Sequence, residues 1–566
     1  MTPTNPYAPE FQQLRGPQLL HRLMVDGGHP TILIAGSVPW PFGWTNKGII
    51  YLGVPGCGKS VAIKAQRASL SPYYRQRGAL FREFVIDPTG TYWDHAARTL
   101  PPGVPMLNLS PHFEGSRFWD VARETNNEPV MLMNLVDGLM GVHEQSGGMT
   151  SSDPFWPRKA RVVVQHLMTV FAERAGPRWR LADVVRALWY PEFLAPILAQ
   201  SASTRGSAAH EITGKMGKGI TATASAELNQ LGMVAAFSDS CGKGFTFREQ
   251  FDRSVFMHLA FDPNIAEGYS RYSAAMAHML YLVACRHGSE LNRTFVFADE
   301  AREMRNFRIP EMLARGRQFG LSLTLAAQGI EGLVSQWGEK ATKEMMGLMQ
   351  TIVAFASTPD TAEYLCKMLG KRDGIETNHT TGTSEARGRT EGQSFSDSSS
   401  QTHSFTWNGA RHLTPDHFPP RIVPSPAANA HPWAPNVRWI HTGSNVSNSR
   451  SYTSSGSIST TTTTSASWTA KLSTRDTLVP WDLVGQRMPD PHIDELDCYV
   501  ISRELGGVGK ARSRWLHVLA ADRLRAHAPS LVPKPPAHGT LRRFTRDDLQ
   551  RLGLDLTDEL LAAFNS

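Results

Sequence analysis

Apolar and polar positions fall into three regimes along the chain. Up to about residue 123, short β-branched and aromatic runs are separated by turn residues. The stretches 31–35, 48–52 and 81–86 read as strands, the last ending at Asp87-Pro88-Thr89-Gly90, and a helix is expected over 59–69. From 126 to about 237 the period becomes helical. Val162, Val163, Leu167, Val170 and Phe171 recur at helical spacing, and 181–188, 191–198 and 224–233 predict further helices. Strands and helices then alternate. Strands are expected at 255–261, 294–298, 321–326 and 351–356, and helices at 272–286, 309–319, 340–349 and 360–369. This order predicts an α/β fold with a mostly parallel sheet, interrupted by an inserted all-α block.

The third regime runs from about 374 to 477. It is polar, with Ser/Thr-rich stretches at 394–404 and 444–467 that hold few large apolar residues. Such segments bury too little surface to offset ordering, so parts of this region are expected to be flexible. A helix near 481–485 and one returning strand at 495–503 follow. A Pro-rich linker at 529–536 then leads to a helix or helical pair within 540–564. The expected division is 1–125 (first half of the α/β domain), 126–237 (all-α insertion), 238–373 (second half), 374–477 (Ser/Thr-rich), 478–527 (end of the α/β domain) and 528–566 (linker and helical tail).

Composition changes this picture little. The chain has 566 residues, 41% hydrophobic and 19% charged, enough for several domains with buried cores. Its net charge of +7 suits a nucleic-acid partner without requiring one. The five cysteines, Cys57, Cys241, Cys285, Cys366 and Cys498, are scattered with no Cys-x-x-Cys pair, which argues against a disulfide framework or a zinc site. No secretory signal is visible at the start. The longest apolar runs, near 31–36 and 278–285, fall far short of the ~20 residues of a membrane helix. A cytoplasmic protein without its own transmembrane anchor is expected.

The chemistry lies in three motifs. Gly53-Val54-Pro55-Gly56-Cys57-Gly58-Lys59-Ser60 fits the phosphate-loop pattern and stands between a predicted strand and a predicted helix. Its glycines let backbone N–H groups turn toward phosphate. Lys59 would reach the β- and γ-phosphates of ATP, and the Ser60 hydroxyl would ligate Mg²⁺. The strand at 294–298 delivers Asp299 and Glu300 to its C-terminal end. There Asp299 would hold Mg²⁺ and Glu300 would polarise the attacking water. Gln328, ending the strand at 321–326, is a candidate for sensing the γ-phosphate or positioning water. Arg315 and Arg317 precede that strand, and either could serve a neighbouring subunit as an arginine finger.

Together these motifs resemble the RecA-like motors of the FtsK/HerA superfamily, most closely the type IV coupling proteins (TraG/TraD-like) of conjugation and secretion. The resemblance rests on the phosphate loop, Asp87-Pro88-Thr89-Gly90, Ser116-Arg117-Phe118-Trp119-Asp120, and Asp153-Pro154-Phe155-Trp156 at the head of the helical block. It rests also on Asp299-Glu300 followed by Ala314-Arg315-Gly316-Arg317-Gln318-Phe319-Gly320 and Gln328. It covers most of residues 31–373.

It implies a RecA-like P-loop ATPase using ATP and Mg²⁺, working as a homo-hexamer with DNA in its pore and little sequence preference. It favours Arg317 as the finger, by its spacing of eleven residues before Gln328. Lys215, Lys218, Lys371 and Arg372 are candidate pore contacts. A relaxase or other type IV secretion components are the implied partners, and through a partner the protein would reach the inner membrane. Two alternatives stand: an ATPase adaptor recruiting protein substrates to a secretion machine, and a HerA-like translocase in defence or DNA processing.

Overall fold

A computed structural model of the chain describes residues 31–35, 38–75, 79–140, 155–205, 212, 214–261, 264, 266–289, 292–301, 308–369, 371–389, 396–408, 438–451, 458–476, 480–484, 486, 495–502, 507–514 and 525–555. It forms two compact units, one of 1–364 with 480–566 and one of 365–479.

Runs too apolar to face water build the larger unit. β3 (Ile49–Leu52), β4 (Leu80–Asp87), β8 (Val255–Ala260), β9 (Asn292–Ala298), β10 (Leu321–Ala327) and β11 (Thr351–Ala354) are almost wholly buried. Continuous burial of this kind is the mark of a parallel sheet covered on both faces. With β5 (Met106–Asn108), β16 (Glu495–Ser502) and β17 (Gly507–Arg514) they form nine strands in the order β17-β16-β11-β3-β10-β9-β4-β8-β5. Pairing is parallel from β11 to β5 and antiparallel at β16 and β17. The chain returns after 495 as this antiparallel pair, where the sequence predicts a single strand. A short hairpin of β1 (Thr31–Ile34) and β2 (Val38–Pro41) stands apart from the large sheet.

Helices α1 (Lys59–Ser69) and α2 (Thr91–Thr99) follow β3 and β4. Beneath them Phe42 stacks on Tyr73 at 4.1 Å, and Phe81 packs on Phe295 at 4.9 Å. The helical block contains α3 (Pro129–Met140), α4 (Phe155–Ala175), α5 (Leu181–Trp189), α6 (Gly214–Asn229) and α7 (Gly232–Asp239). The short parallel pair β6 (Arg117–Trp119) and β7 (Lys243–Phe245) flanks it in sequence. The helix predicted over 224–233 is in fact the end of α6 and the start of α7. Gly214, Gly217 and Gly219 obscure the beginning of α6, because glycine is a poor helix former. Beyond the block, α8 (Ala266–His287), α9 (Ile309–Arg315), α10 (Ile330–Leu348, interrupted at Gly338) and α11 (Pro359–Leu369) accompany the later strands.

Residues 525–555 are no loose linker. His527 N–H donates to Ala97 at 2.9 Å, and Trp93 Nε1 donates to the Pro529 carbonyl at 2.8 Å. Farther along, Glu114 N–H meets Val532 at 2.8 Å and Lys534 N–H meets His112 at 2.7 Å. The segment then crosses the helical block. Arg186 Nε donates to the Arg542 carbonyl at 2.8 Å, and Arg551 of α12 (Arg546–Leu552) grips Asp183 at 2.7 and 2.9 Å. Arg186 and Asp183 are fully buried, so these partners are what make their charges tolerable.

The smaller unit carries strands within the Ser/Thr-rich region, where the sequence predicts none. It holds β12 (Lys371–Arg389) paired antiparallel with β15 (Ile458–Asp476), and β13 (Ser396–Asn408) paired antiparallel with β14 (Arg438–Ser451). Threonine's preference for extended backbone supports strands here without an apolar alternation to announce them. Residues 390–395, 409–437 and 452–457, which the flexible reading also covers, lie outside the described residues, as do 1–30, 153–154 and 556–566.

Candidate functional site

Four neighbouring strands end at one edge of the large sheet, in the order β3, β10, β9, β4. Their next residues are the phosphate loop after β3, Gln328 after β10 and Asp299-Glu300 after β9. β4 itself ends in Asp87. The C-terminal edge of a parallel sheet is where ligands of open α/β folds bind.

The loop is clamped from both sides. Gly53 N–H donates to Ala327 of β10 at 3.2 Å, and Val54 N–H to Ala356 beyond β11 at 2.8 Å. A Cβ on Gly53 would lie 2.6 Å from Cys57 Sγ and 2.9 Å from Phe355 Cβ. Gly58 caps α1 at φ 95°, a conformation that side chains resist. Pro55 and Gly56 form the exposed crown, while Gly53, Cys57 and Lys59 are buried. Lys59 Nζ folds over the loop, donating to the carbonyls of Gly53 at 2.7 Å and Val54 at 3.1 Å. Burial raises the Cys57 thiol's pKa, which Lys59 only partly offsets, so this cysteine is a packing residue and not a thiolate.

Asp299 is 6% exposed. Its Oδ1 accepts the Glu300 N–H at 3.1 Å, and its Oδ2 accepts the Tyr92 hydroxyl at 3.1 Å. Its pKa is raised, first by burial and then by the nearby Asp87 carboxylate, against hydrogen bonds from Ser60 and Tyr92 that pull it down. A desolvated carboxylate beside a serine hydroxyl is a hard-oxygen donor pair fit for Mg²⁺. No cluster of three or more His, Cys, Asp or Glu suited to a metal occurs among the described residues. Glu300 adopts φ 58°, strained for a residue with a side chain, and its Oε2 accepts Gln328 Nε2 at 3.0 Å. The acid and the glutamine are therefore in contact.

Arg317 is not with them. It is exposed in the turn Gly316–Phe319, before β10 begins. Gln328 follows the far end of that seven-residue strand, about 20 Å away at the usual rise. Arg315 is likewise exposed at the end of α9. Lys215 and Lys218, expected on a pore loop, sit exposed in the first turns of α6. Lys371 and Arg372 lie at the start of β12, with side chains outside the described residues.

The sequence reading missed three residues here: Tyr92, Asp87 as a ligand of backbone, and His258. His258 Nε2 lies 3.3 Å from Asp87 Oδ2 in the sheet interior. The Asp-Pro-Thr-Gly turn was visible in the sequence, but nothing in it pointed to Asp299, which is 207 residues from Tyr92.

The family model of the type IV secretion-system coupling protein DNA-binding domain matches residues 32–406. The chain belongs to this family. The coupling-protein fold extends beyond the matched segment. The bacterial conjugative coupling protein TrwBdeltaN70 in its unbound monoclinic form aligns with TM-score 0.59 at 12% identity, over 91% of this chain and 94% of its own. TrwB in complex with the non-hydrolysable GTP analogue GDPNP gives 0.59 at 13% identity, over 90% and 95%. TrwB in complex with ADP and Mg²⁺ gives 0.59 at 12% identity, over 91% and 95%. At such identities the likeness is one of fold, and the RecA-like α/β architecture with its mostly parallel sheet is the one the sequence predicts. No curated protein matches the sequence. Among the described residues, no helix is long and apolar enough to cross a membrane.

Proposed function

We propose that this coupling-family protein is an ATP-driven DNA translocase that works as an oligomeric ring, by our reading a hexamer. The observation that carries the proposal is the meeting of Lys59, Ser60, Asp299, Glu300 and Gln328 at one sheet edge, with Gln328 bonded to Glu300 at 3.0 Å. Family membership and the nucleotide complexes of TrwB support the same reading.

In this mechanism the loop N–H groups and Lys59 hold the β- and γ-phosphates, Lys59 exchanging its two carbonyl partners for phosphate oxygens. Ser60 and Asp299 would hold Mg²⁺, which neutralises charge building between the β- and γ-phosphates. Glu300, fixed by Gln328, accepts a hydrogen bond from the attacking water and aligns it with the γ-phosphorus. Arg317 cannot serve its own loop from the opposite sheet edge, so we assign it to a neighbour's phosphates, which makes hydrolysis depend on assembly. Lys215 and Lys218 are proposed to touch the DNA backbone without reading bases.

The test is steady-state ATP hydrolysis by the wild-type protein, Lys59→Ala and Glu300→Gln, each with and without single- and double-stranded DNA. DNA-stimulated hydrolysis is expected, with losses of about 100-fold or more in both variants. Hydrolysis indifferent to DNA would move the reading to a protein-recruiting ATPase.

A further inference from the structure

We propose that Tyr92 is a positioning residue for the metal-holding carboxylate Asp299, and that the Asp87-Pro88-Thr89-Gly90 turn serves to aim it. The inference rests on the nucleotide reading above and names a part of that site which the phosphate-loop and acid-pair motifs do not contain.

The turn is built around one buried side chain. Asp87 Oδ1 accepts the Thr89 N–H at 2.8 Å and the Thr89 hydroxyl at 2.6 Å. Its Oδ2 accepts the Tyr92 N–H at 2.9 Å and faces His258 Nε2 at 3.3 Å. These bonds close the turn and fix the first residues of α2, so the direction of the Tyr92 ring is set by Asp87. The ring is 0% exposed, with Lys64 Nζ 5.1 Å above it.

Its hydroxyl ends between two parts of the site, 3.1 Å from Asp299 Oδ2 and 3.3 Å from the Ser60 carbonyl. A phenol has one proton. The carboxylate is nearer and the stronger acceptor, so Tyr92 donates to Asp299 and the carbonyl is secondary. The other oxygen, Oδ1, takes the Glu300 N–H at 3.1 Å. The carboxylate is thus held on one side by its own backbone and on the other by a helix that follows a different strand. A phenylalanine would fill the same core space. What the hydroxyl adds is the orientation of Asp299, in the way outer-shell partners orient metal ligands.

Full-length wild type and Tyr92→Phe are compared by binding of a fluorescent ATP analogue, in EDTA and across a Mg²⁺ titration, with circular dichroism to check folding. The expected result is that Tyr92→Phe requires about 10-fold more Mg²⁺ to reach half of the Mg²⁺-dependent binding change. Binding in EDTA is expected to stay within about 2-fold of wild type. Thr89→Val, which removes one clasp from the turn, should shift the Mg²⁺ midpoint the same way by less. An unchanged midpoint in Tyr92→Phe would overturn the proposal, leaving Tyr92 a packing residue. Equal weakening with and without Mg²⁺ would also overturn it, because the effect would then lie on the loop and not on the carboxylate. Absence of nucleotide binding by the wild type would remove the nucleotide reading itself, and this inference with it.

Discussion

The strands of the large sheet and those of the 365–479 unit are built from different kinds of residue. In β9, Phe295, Val296, Phe297 and Ala298 are each 0% exposed. In β15, the sequence Ile458–Asp476 runs ISTTTTTSASWTAKLSTRD and pairs residue for residue with β12, from Arg389↔Ile458 to Lys371↔Asp476. The first kind of strand exists because water is excluded from both faces. The second shows an unbroken backbone ladder and a run of threonine, a residue that favours extended backbone. Burial fixes which residue reaches a sheet edge, and so can hold a catalytic group in place. A ladder alone fixes register far more weakly.

The sharpest way to break this contrast is Phe297→Ala. Removing a fully buried ring should cost about 3–5 kcal/mol, read as a lowered denaturant midpoint of the unit carrying the site. Next comes Glu124, where the same exclusion of water acts on a charge. It is fully buried, and its Oε2 accepts the N–H of Phe247 at 2.6 Å and Trp119 Nε1 at 3.3 Å. Burial lifts its pKa from 4.5 to about 7. The folded state therefore holds this proton more tightly than the unfolded chain does. The associated stability is complete below about pH 4.5 and is lost as pH rises to about 7. The loss is about 3 kcal/mol at most. Denaturant midpoints across that range should slope downward in the wild type and flatten in Glu124→Gln.

The smallest effect belongs to the other region. Replacing 374–477 by a short Gly/Ser linker should leave the thermal midpoint of the larger unit within about 2 °C, because none of the large sheet's nine strands comes from there. A larger drop in differential scanning calorimetry would show that the sheet depends on the ladders after all.

The same contrast explains what could be read in the sequence. Asp299, Glu300 and Gln328 were legible because they directly follow apolar strands, and Lys59 and Ser60 because the phosphate-loop pattern stands between an apolar strand and a helix. The nearly parallel order of the sheet was legible from strands buried along their whole length. Tyr92 was not, because its partner Asp299 comes from another strand and the contact exists only after folding. The ladders were not legible because Ser/Thr-rich strands show no apolar period. The second edge strand β17, reading GVGKARSR, was hidden for a similar reason.

The segment 525–555 has a consequence for how the protein is made. Asp183 and Arg551 are 368 residues apart, and Arg186 waits 356 residues for the carbonyl of Arg542. At about 5–20 residues per second, synthesis leaves these charges without their final partners for roughly 20–70 seconds. During that time Arg186 still has Asp183 and Asp239, at 3.1 Å each, to hold it. A chain that stops before residue 542 lacks both the Arg542 carbonyl that Arg186 Nε meets and the Arg551 guanidinium that meets Asp183.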